Sequence, residues 1–270
     1  MSIITISRGS YSRGKEVAEK VAKKLGYECI ARDVLLEASE EFNVPETKLN
    51  HAIRDAPSFL DRFTYGKERY IAYVQSALLR HLQKDNIVYH GFAGQFFAKG
   101  VSHVLKVRII ADLEDRIRLV MDRDRVSKKK ALQSLKKIDE QRRKWSISLY
   151  GIDTSDPGLY DMVLHIRKIT VNDAADIICH TVGLKDFQTI PESQKAMDDL
   201  LLASEVKATL IDLKPDVEVY SDSGKVSVTT SAQLSQEEKL IQDIEGVVKT
   251  IPGVKEVTVH IHLDPIETYD

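Results

Sequence analysis

An apolar run from Ile3 to Ile6 stops at a polar, glycine-bearing turn. After the turn Val17, Ala18, Val21, Ala22 and Leu25 fall on one face of a helix. Gly26 reads as the stop of that helix, and Tyr27 to Ile30 as a second short strand. Residues 34 to 84 are predominantly helical in pattern, punctuated by Pro45 and Pro57, and their last helix carries Ile71, Val74, Leu78, Leu79 and Leu82 on one face. Ile87 to Tyr89 is a third strand. Val104 to Ile110 is a fourth, apolar on both faces apart from Lys106 and Arg108, as in a sheet covered by helices on two sides. Asp112 is positioned to cap the next helix, with Asp115 in its first turn. Tyr160 to Ile166 is a fifth strand, and Thr170 caps a helix through Ile177 and Ile178 that stops at Gly183. Five strands interleaved with helices predict an α/β fold with a parallel sheet.

The pattern changes near residue 185. Residues 185–197, containing Pro191, read as a linker between a domain at 1–184 and a second at 198–270. In the second, a helix runs through Leu200, Leu201, Val206, Leu210 and Leu213. Val217 and Val219 alternate with polar residues, as do Val226 and Val228 across the turn Asp222-Ser223-Gly224. Ser235 and Glu238 have the spacing of a capping box, opening a helix with Leu240, Ile241, Ile244, Val247 and Val248 on one face. Pro252-Gly253 ends it, and Val257, Val259, Ile261 and Leu263 alternate as a last strand. The order α-β-β-α-β predicts a small α+β domain with a one-faced sheet.

The first turn carries the strongest chemical signal. Gly9 and Gly14 have the spacing of G-x-x-x-x-G-K, with Lys15 in the lysine position. Strand, glycine loop and helix together make a phosphate cradle, in which loop N–H groups and the helix N-terminus face an anion. The position after the lysine, normally a magnesium-holding hydroxyl, is Glu16. The alternative is that the two glycines merely shape a strand-to-helix turn, with Lys15 and Glu16 solvated. Arg32-Asp33 stands at the end of the second strand, where open α/β sheets bind ligands. Between 116 and 144 lie many arginines and lysines with acids interleaved. They read either as a solvated face laced with ion pairs or as an arginine-rich lid over phosphates.

Composition narrows the setting. Of 270 residues, 43% are hydrophobic and 30% charged, enough for packed cores rather than disorder. A net charge of −2 gives no argument for nucleic acid or an anionic membrane. No run approaches a membrane span, and no leader pattern stands at the start, so a cytoplasmic setting is expected. Cys29 and Cys179 are expected as buried thiols in a reducing compartment.

The opening Thr5-Ile6-Ser7-Arg8-Gly9-Ser10-Tyr11-Ser12-Arg13-Gly14-Lys15-Glu16-Val17-Ala18 resembles that of the cytidylate kinase-like proteins, a branch of the P-loop nucleoside monophosphate kinases. Val88 to Gly94, Val107 to Ile109, Gly151 to Asp153 and Tyr160 to Val163 agree with it in order, so the resemblance spans about residues 1 to 183. It implies transfer of the ATP γ-phosphoryl to a monophosphate such as CMP or dCMP, with Mg²⁺. By motif position Gly9, Ser10, Tyr11, Ser12, Arg13, Gly14, Lys15 and Glu16 would hold the donor, and Arg32, Asp33, Gly91 and Gly94 the acceptor. Lys15, Arg123, Arg125, Arg142 and Arg143 would carry catalysis; no protein metal ligand is assigned. Phe92 departs from the pattern, since an arginine commonly follows the first glycine of that segment. Residues 198 to 264 resemble a BON domain, which implies a protein or lipid partner for an interaction or regulatory module.

Other candidates read as structure. His260 and His262 share a strand face without a third ligand nearby in sequence, and Trp145 and Tyr150 are expected as helix-packing aromatics rather than base-stacking ones. Besides the kinase, two readings stay open: a nucleotide-binding regulatory protein without turnover, and a kinase of a small metabolite that is not a nucleotide. Oligomeric state is not legible.

Overall fold

The computed structural model describes residues 1–31, 33–49, 66–91 and 94–263. Five parallel strands, β1 (Ile3–Arg8), β2 (Glu28–Ile30), β3 (Ile87–Tyr89), β4 (Val104–Ala111) and β5 (Met162–Ile166), stand in the order β2-β3-β1-β4-β5. Ile3, Ile4 and Ile6 are fully buried on alternate sides of β1, because helices cover both faces of the sheet. On one face α1 (Gly14–Leu25) lies beside α7 (Val171–Val182), and Val17, Val21, Ala174 and Ile178 pack on Ile4, Val107 and Ile109. The other face is covered by α2 (Asp33–Glu41), α3 (Gly66–Leu82), the short α4 (Gly94–Phe97) and Trp145. A pair of helices, α5 (Leu113–Asp124) and α6 (Lys128–Tyr150), follows β4 and has its own small core of Ile117, Val120, Ala131 and Leu135.

This is the expected α/β architecture of the P-loop kinase type, with a small C-terminal α+β unit. That unit comprises α8 (Pro191–Leu210), β6 (Glu218–Asp222), β7 (Lys225–Ala232), α9 (Glu237–Val248) and β8 (Glu256–Leu263). β6 and β7 are antiparallel, and β8 runs parallel to β7. Val206, Leu210, Val226, Val228, Ile244 and Val248 form its core, so the sheet is covered on one face as expected.

Several local expectations changed. The segment read as a linker is a 3₁₀ turn at Lys185–Phe187 followed by α8, because Pro191 occupies the first helical turn, where it needs no N–H partner. One side of α8 also enters the core of the large sheet: Met197, Leu201, Ala208 and Ile211 pack in one cluster with Leu78 and Leu82 of α3. Arg80 of α3 bonds Glu41 of α2 (2.7 Å) and Glu205 of α8 (2.9 Å), tying the three helices together. Ser235 does not cap α9; it lies in a 3₁₀ turn, and the helix begins at Glu237 without a side-chain cap. Asp112 holds the cap position of α5, but its carboxylate meets His165 (3.0 Å) and Arg167 (3.1 Å) instead of the helix. Thr170 and Asp173 do form a capping box on α7. Cys29 and Cys179 are free and half-buried rather than sealed.

Candidate functional site

The strand order fixes where a ligand belongs. From β1 the chain turns toward β2, and from β4 it turns the other way to β5. The connections therefore diverge above neighbouring β1 and β4, opening a crevice at their carboxyl ends. The phosphate loop stands there. Gly9 keeps the sheet going for one more bond, its N–H donating to the Ile109 carbonyl at 3.1 Å. Ser12 Oγ, 2.9 Å from both the Gly9 and Ile109 carbonyl oxygens, fastens the loop back to β4.

The loop turns in an unexpected way. The left-handed conformations fall on Tyr11 (φ 57°) and Arg13 (φ 61°), neither of them glycine. Each costs about 1–3 kcal/mol that the surroundings must offset. Gly14 is required for a different reason: a Cβ there would stand 2.7 Å from Cβ of Arg8.

The two basic helices close over this loop as a lid would. Arg116 of α5, with its side chain only 13% exposed, donates to the Ser10 carbonyl and to Ser10 Oγ, both at 2.6 Å, and pairs with Asp139 of α6. Ser10 Oγ donates to the same Asp139 carboxylate at 2.6 Å. Arg142 of α6 donates to the Arg8 carbonyl at 3.0 Å. The Arg123 guanidinium lies 4.6 Å from the centroid of the Tyr11 ring and is doubly bonded to Asp124. Arg143 pairs with Asp153 at 2.6 Å. The Ser155 N–H, and then Arg143, hold the Asp153 carboxyl down at about 2. Arg108 of β4 donates to the Tyr160 hydroxyl at 3.0 Å, and that hydroxyl donates to the Thr154 carbonyl.

Three cavities surround the loop. One of about 350 Å³ is walled by Arg8, Gly9, Ser10, Tyr11, Arg123 and Arg142. A second, about 220 Å³, lies over the β1–β4 crevice, with Arg8, Arg108, Arg116, Arg142 and Arg143 facing Asp139 and Asp153. The third, about 420 Å³, opens between α5 and the start of α7; Arg13, Arg118 and Arg167 rim it, and Leu119, Ile166 and Val171 form apolar walls. Guanidinium groups gathered at a strand-to-helix loop suit bidentate phosphate contacts. The third cavity is mixed in character, with Asp115 and Asp122 beside the arginines and the apolar Leu119, Ile166 and Val171, and is wide enough for a base to lie on those apolar walls.

The candidate residues divide accordingly. Gly9, Ser10, Tyr11, Arg123, Arg142 and Arg143 wall the cavities beside the loop, and Arg13 the third one. Lys15 pairs with Glu19 at 3.5 Å along the exposed face of α1, and Glu16 with Arg13 at 3.7 Å. Arg125 ends α5 in a left-handed turn, exposed. Asp33 begins α2 and accepts the Ala31 N–H at 3.4 Å. Gly91 and Gly94 leave room for the Tyr89 ring, whose atoms would stand 1.9 Å and 2.6 Å from added Cβ atoms. Arg32 and Phe92 lie outside the described residues.

Sequence reasoning missed Arg116, Asp139, Arg8, Arg108 and Tyr160. One signal was available for Asp139 and Arg142: with Leu135 they stand at i, i+4 and i+7, the inward face of α6. Trp145 is fully buried, 6.4 Å from Phe96, and packs rather than stacks on a ligand. His90, at the end of β3, is buried; desolvation and then Arg8 push its pKa down, so it is held neutral. Among the described residues no cluster of three or more metal-ligating side chains occurs, and no helix is long and apolar enough to cross a membrane.

The sequence profile of the Cytidylate kinase-like family matches residues 3–168. Among curated proteins, the chain is 25% identical over 191 residues to the cytidylate kinase of Pyrobaculum aerophilum, covering 68% of this chain and 97% of that one. It is 22% identical over 187 residues to the cytidylate kinase of Sulfolobus acidocaldarius, covering 69% and 97%. Against the cytidylate kinase of Pyrobaculum islandicum the match is 28% over 116 residues, 42% of this chain and 62% of that one, so it spans less than two thirds of that relative. Among solved structures, an uncharacterized protein from Eubacterium ventriosum has a TM-score of 0.52 at 22% identity, covering 67% of this chain and 98% of that one, a likeness of fold.

Proposed function

The chain belongs to the cytidylate kinase-like family, and from that premise we propose that it transfers the γ-phosphoryl group of ATP to a nucleoside monophosphate of the CMP or dCMP kind. The observation that carries this reading is the ring of guanidinium groups, from Arg8, Arg116, Arg123, Arg142 and Arg143, around the loop at the β1–β4 crevice. Phosphoryl transfer needs positioning and charge neutralisation more than covalent chemistry, and such a ring supplies both.

The donor set fits ATP. The base would rest on the apolar walls, Leu119, Ile166 and Val171, of the cavity edged by Arg13, Arg118 and Arg167, and Gly9 to Gly14 and the start of α1 would hold the phosphates. Mg²⁺ would enter chiefly with the ATP phosphates: the Asp139 and Asp153 carboxylates beside the phosphate cavity are engaged by Ser10 and Arg116 and by Ser155 and Arg143, and would reach the ion only by exchanging those partners. When bound, the ion neutralises phosphate charge. Arg142 and Arg143 then stabilise charge on the transferring group, while the α5–α6 pair excludes water. Asp33, Gly91 and Gly94 belong to the acceptor side, near the carboxyl ends of β2 and β3.

Residues 1–184 make the kinase-like unit and 198–270 a BON-like interaction or regulatory unit, whose first helix, α8, also packs on the former. A protein or lipid partner belongs to that second unit, and a cytoplasmic setting suits the whole. A regulator that binds nucleotide without turnover is the second reading, and the Lys15–Glu19 pair favours it by holding the lysine along the helix. An assay of ADP release with Mg²⁺, ATP and a panel of monophosphates separates the two. Acceleration by CMP or dCMP supports the kinase; ATP binding with no acceleration by any acceptor supports the regulator.

A further inference from the structure

Tyr11 stands in a position and conformation that the phosphate loop alone does not explain. It is a bulky residue held at φ 57°, where glycine is at ease. Its ring joins the small core of α5 and α6, packed against Ile117, Val120, Ala131 and Leu135, and it comes from the loop while those four come from the lid helices. The Arg123 guanidinium lies over the same ring. On either side of Tyr11 in sequence, Ser10 binds Arg116 and Asp139, and Ser12 is fastened to β4. The strained conformation therefore aims one aromatic ring out of the loop and into the lid.

We propose that Tyr11 is a positioning residue: its ring locks the α5–α6 pair onto the phosphate loop and sets where Arg123 stands beside the phosphate cavity. This rests on the kinase reading for its catalytic consequence, but the lock itself does not. Glycine at this position keeps the left-handed turn free of strain and removes the ring, so Tyr11→Gly tests the lock without forcing the loop into a new shape. Tyr11→Phe retains the ring and the stacking surface under Arg123.

The test is hydrogen exchange of the full chain without nucleotide, followed by steady-state kinetics with ATP and CMP. Tyr11→Gly is expected to speed exchange of peptides within 113–150 by about tenfold or more, since the ring's burial there is lost, while 171–182 and 225–263 are unchanged. Tyr11→Phe is expected to match the wild type. Where CMP is turned over, Tyr11→Gly should lower kcat by about tenfold while KM for the acceptor stays within about twofold, because the misplaced lid cations act on the transition state. Exchange in 113–150 unchanged by Tyr11→Gly, or raised equally by Tyr11→Phe, overturns the proposal. A wild type that turns over no monophosphate overturns the kinase reading, and the exchange comparison still decides the lock.

Discussion

Two serine-centred polar clusters sit at opposite ends of the large sheet. At the carboxyl ends, the buried Ser10 meets Arg116 and Asp139 at about hydrogen-bond length; Ser10 borders one cavity, and Arg116 and Asp139 open onto the other. At the amino ends, Ser193 Oγ lies 2.7 Å from Nδ1 of His103, and His103 Nε2 lies 3.7 Å from Asp85. The second cluster has the residue types of a hydrolase triad, yet nothing can reach it. His103 is 0% exposed and Ser193 4%, and the His103–Asp85 gap is too long for a hydrogen bond. Ser193 is occupied with the first turn of α8, accepting the Ile190 N–H at 3.1 Å. Residue types alone would choose the wrong cluster; access and strand direction choose between them. The amino-end cluster fastens α8, and the carboxyl-end cluster positions the loop.

The largest effect should come from removing what the amino-end cluster fastens. A fragment of residues 1–184 uncovers the α3 surface that Met197, Leu201, Ala208 and Ile211 cover. At about 1.5–3 kcal/mol for each large side chain, it should lose on the order of 5 kcal/mol of stability. Urea denaturation of the fragment checks this, and a midpoint equal to that of the full chain would mean that α8 is only tethered.

The same contrast predicts opposite signatures for single substitutions. Arg142→Ala should reduce kcat about 100-fold, as loss of one charge-stabilising group does, with little change in the urea midpoint. His103→Ala should instead cost about 2–4 kcal/mol of stability by leaving a cavity under the start of α8, with kcat per folded molecule unchanged. Finding both losses in either variant would merge the two roles.

How much of this was legible in the sequence differs between the two ends. Apolar runs and the Gly26 and Thr170 caps marked the elements, because local periodicity and turn chemistry decide them. The loop was located by Gly9, Gly14 and Lys15, but its shape was not: the turns fell on Tyr11, whose ring packs on α5 and α6, and on Arg13, which pairs with Glu16 of α1. Arg116 and Asp139 were hidden among other charges, since which of many charged residues faces inward depends on how the lid packs; Arg108 stood out in an apolar strand, but nothing local told that it meets Tyr160. The junction at Pro191 looked like a break because proline opens helices as readily as it ends them, and the apolar positions of α8 serve two cores at once.

The smallest effect is on pH dependence. Burial holds the pKa of His103 below its ordinary 6.5, and burial followed by Arg8 does the same for His90. Groups held neutral in the folded state contribute stability that is present above 6.5 and is lost as pH falls through that value toward their folded pKa. Urea midpoints should therefore decline from pH 7 to pH 5, and His103→Gln should flatten part of that decline. An unchanged slope would show that His103 titrates as freely folded as unfolded.

If the carboxyl-end cluster serves phosphoryl transfer and the amino-end cluster only stability, the two must separate in a single turnover. Single-turnover reactions with ATP, Mg²⁺ and CMP, followed by ³¹P NMR for CDP, test it directly in the wild type, Arg142→Ala and His103→Ala. CDP is expected from the wild type and from folded His103→Ala at equal rates, and about 100-fold more slowly from Arg142→Ala. CDP formed equally fast by Arg142→Ala, or no phosphorylated acceptor from the wild type with CMP or any other monophosphate, would contradict it.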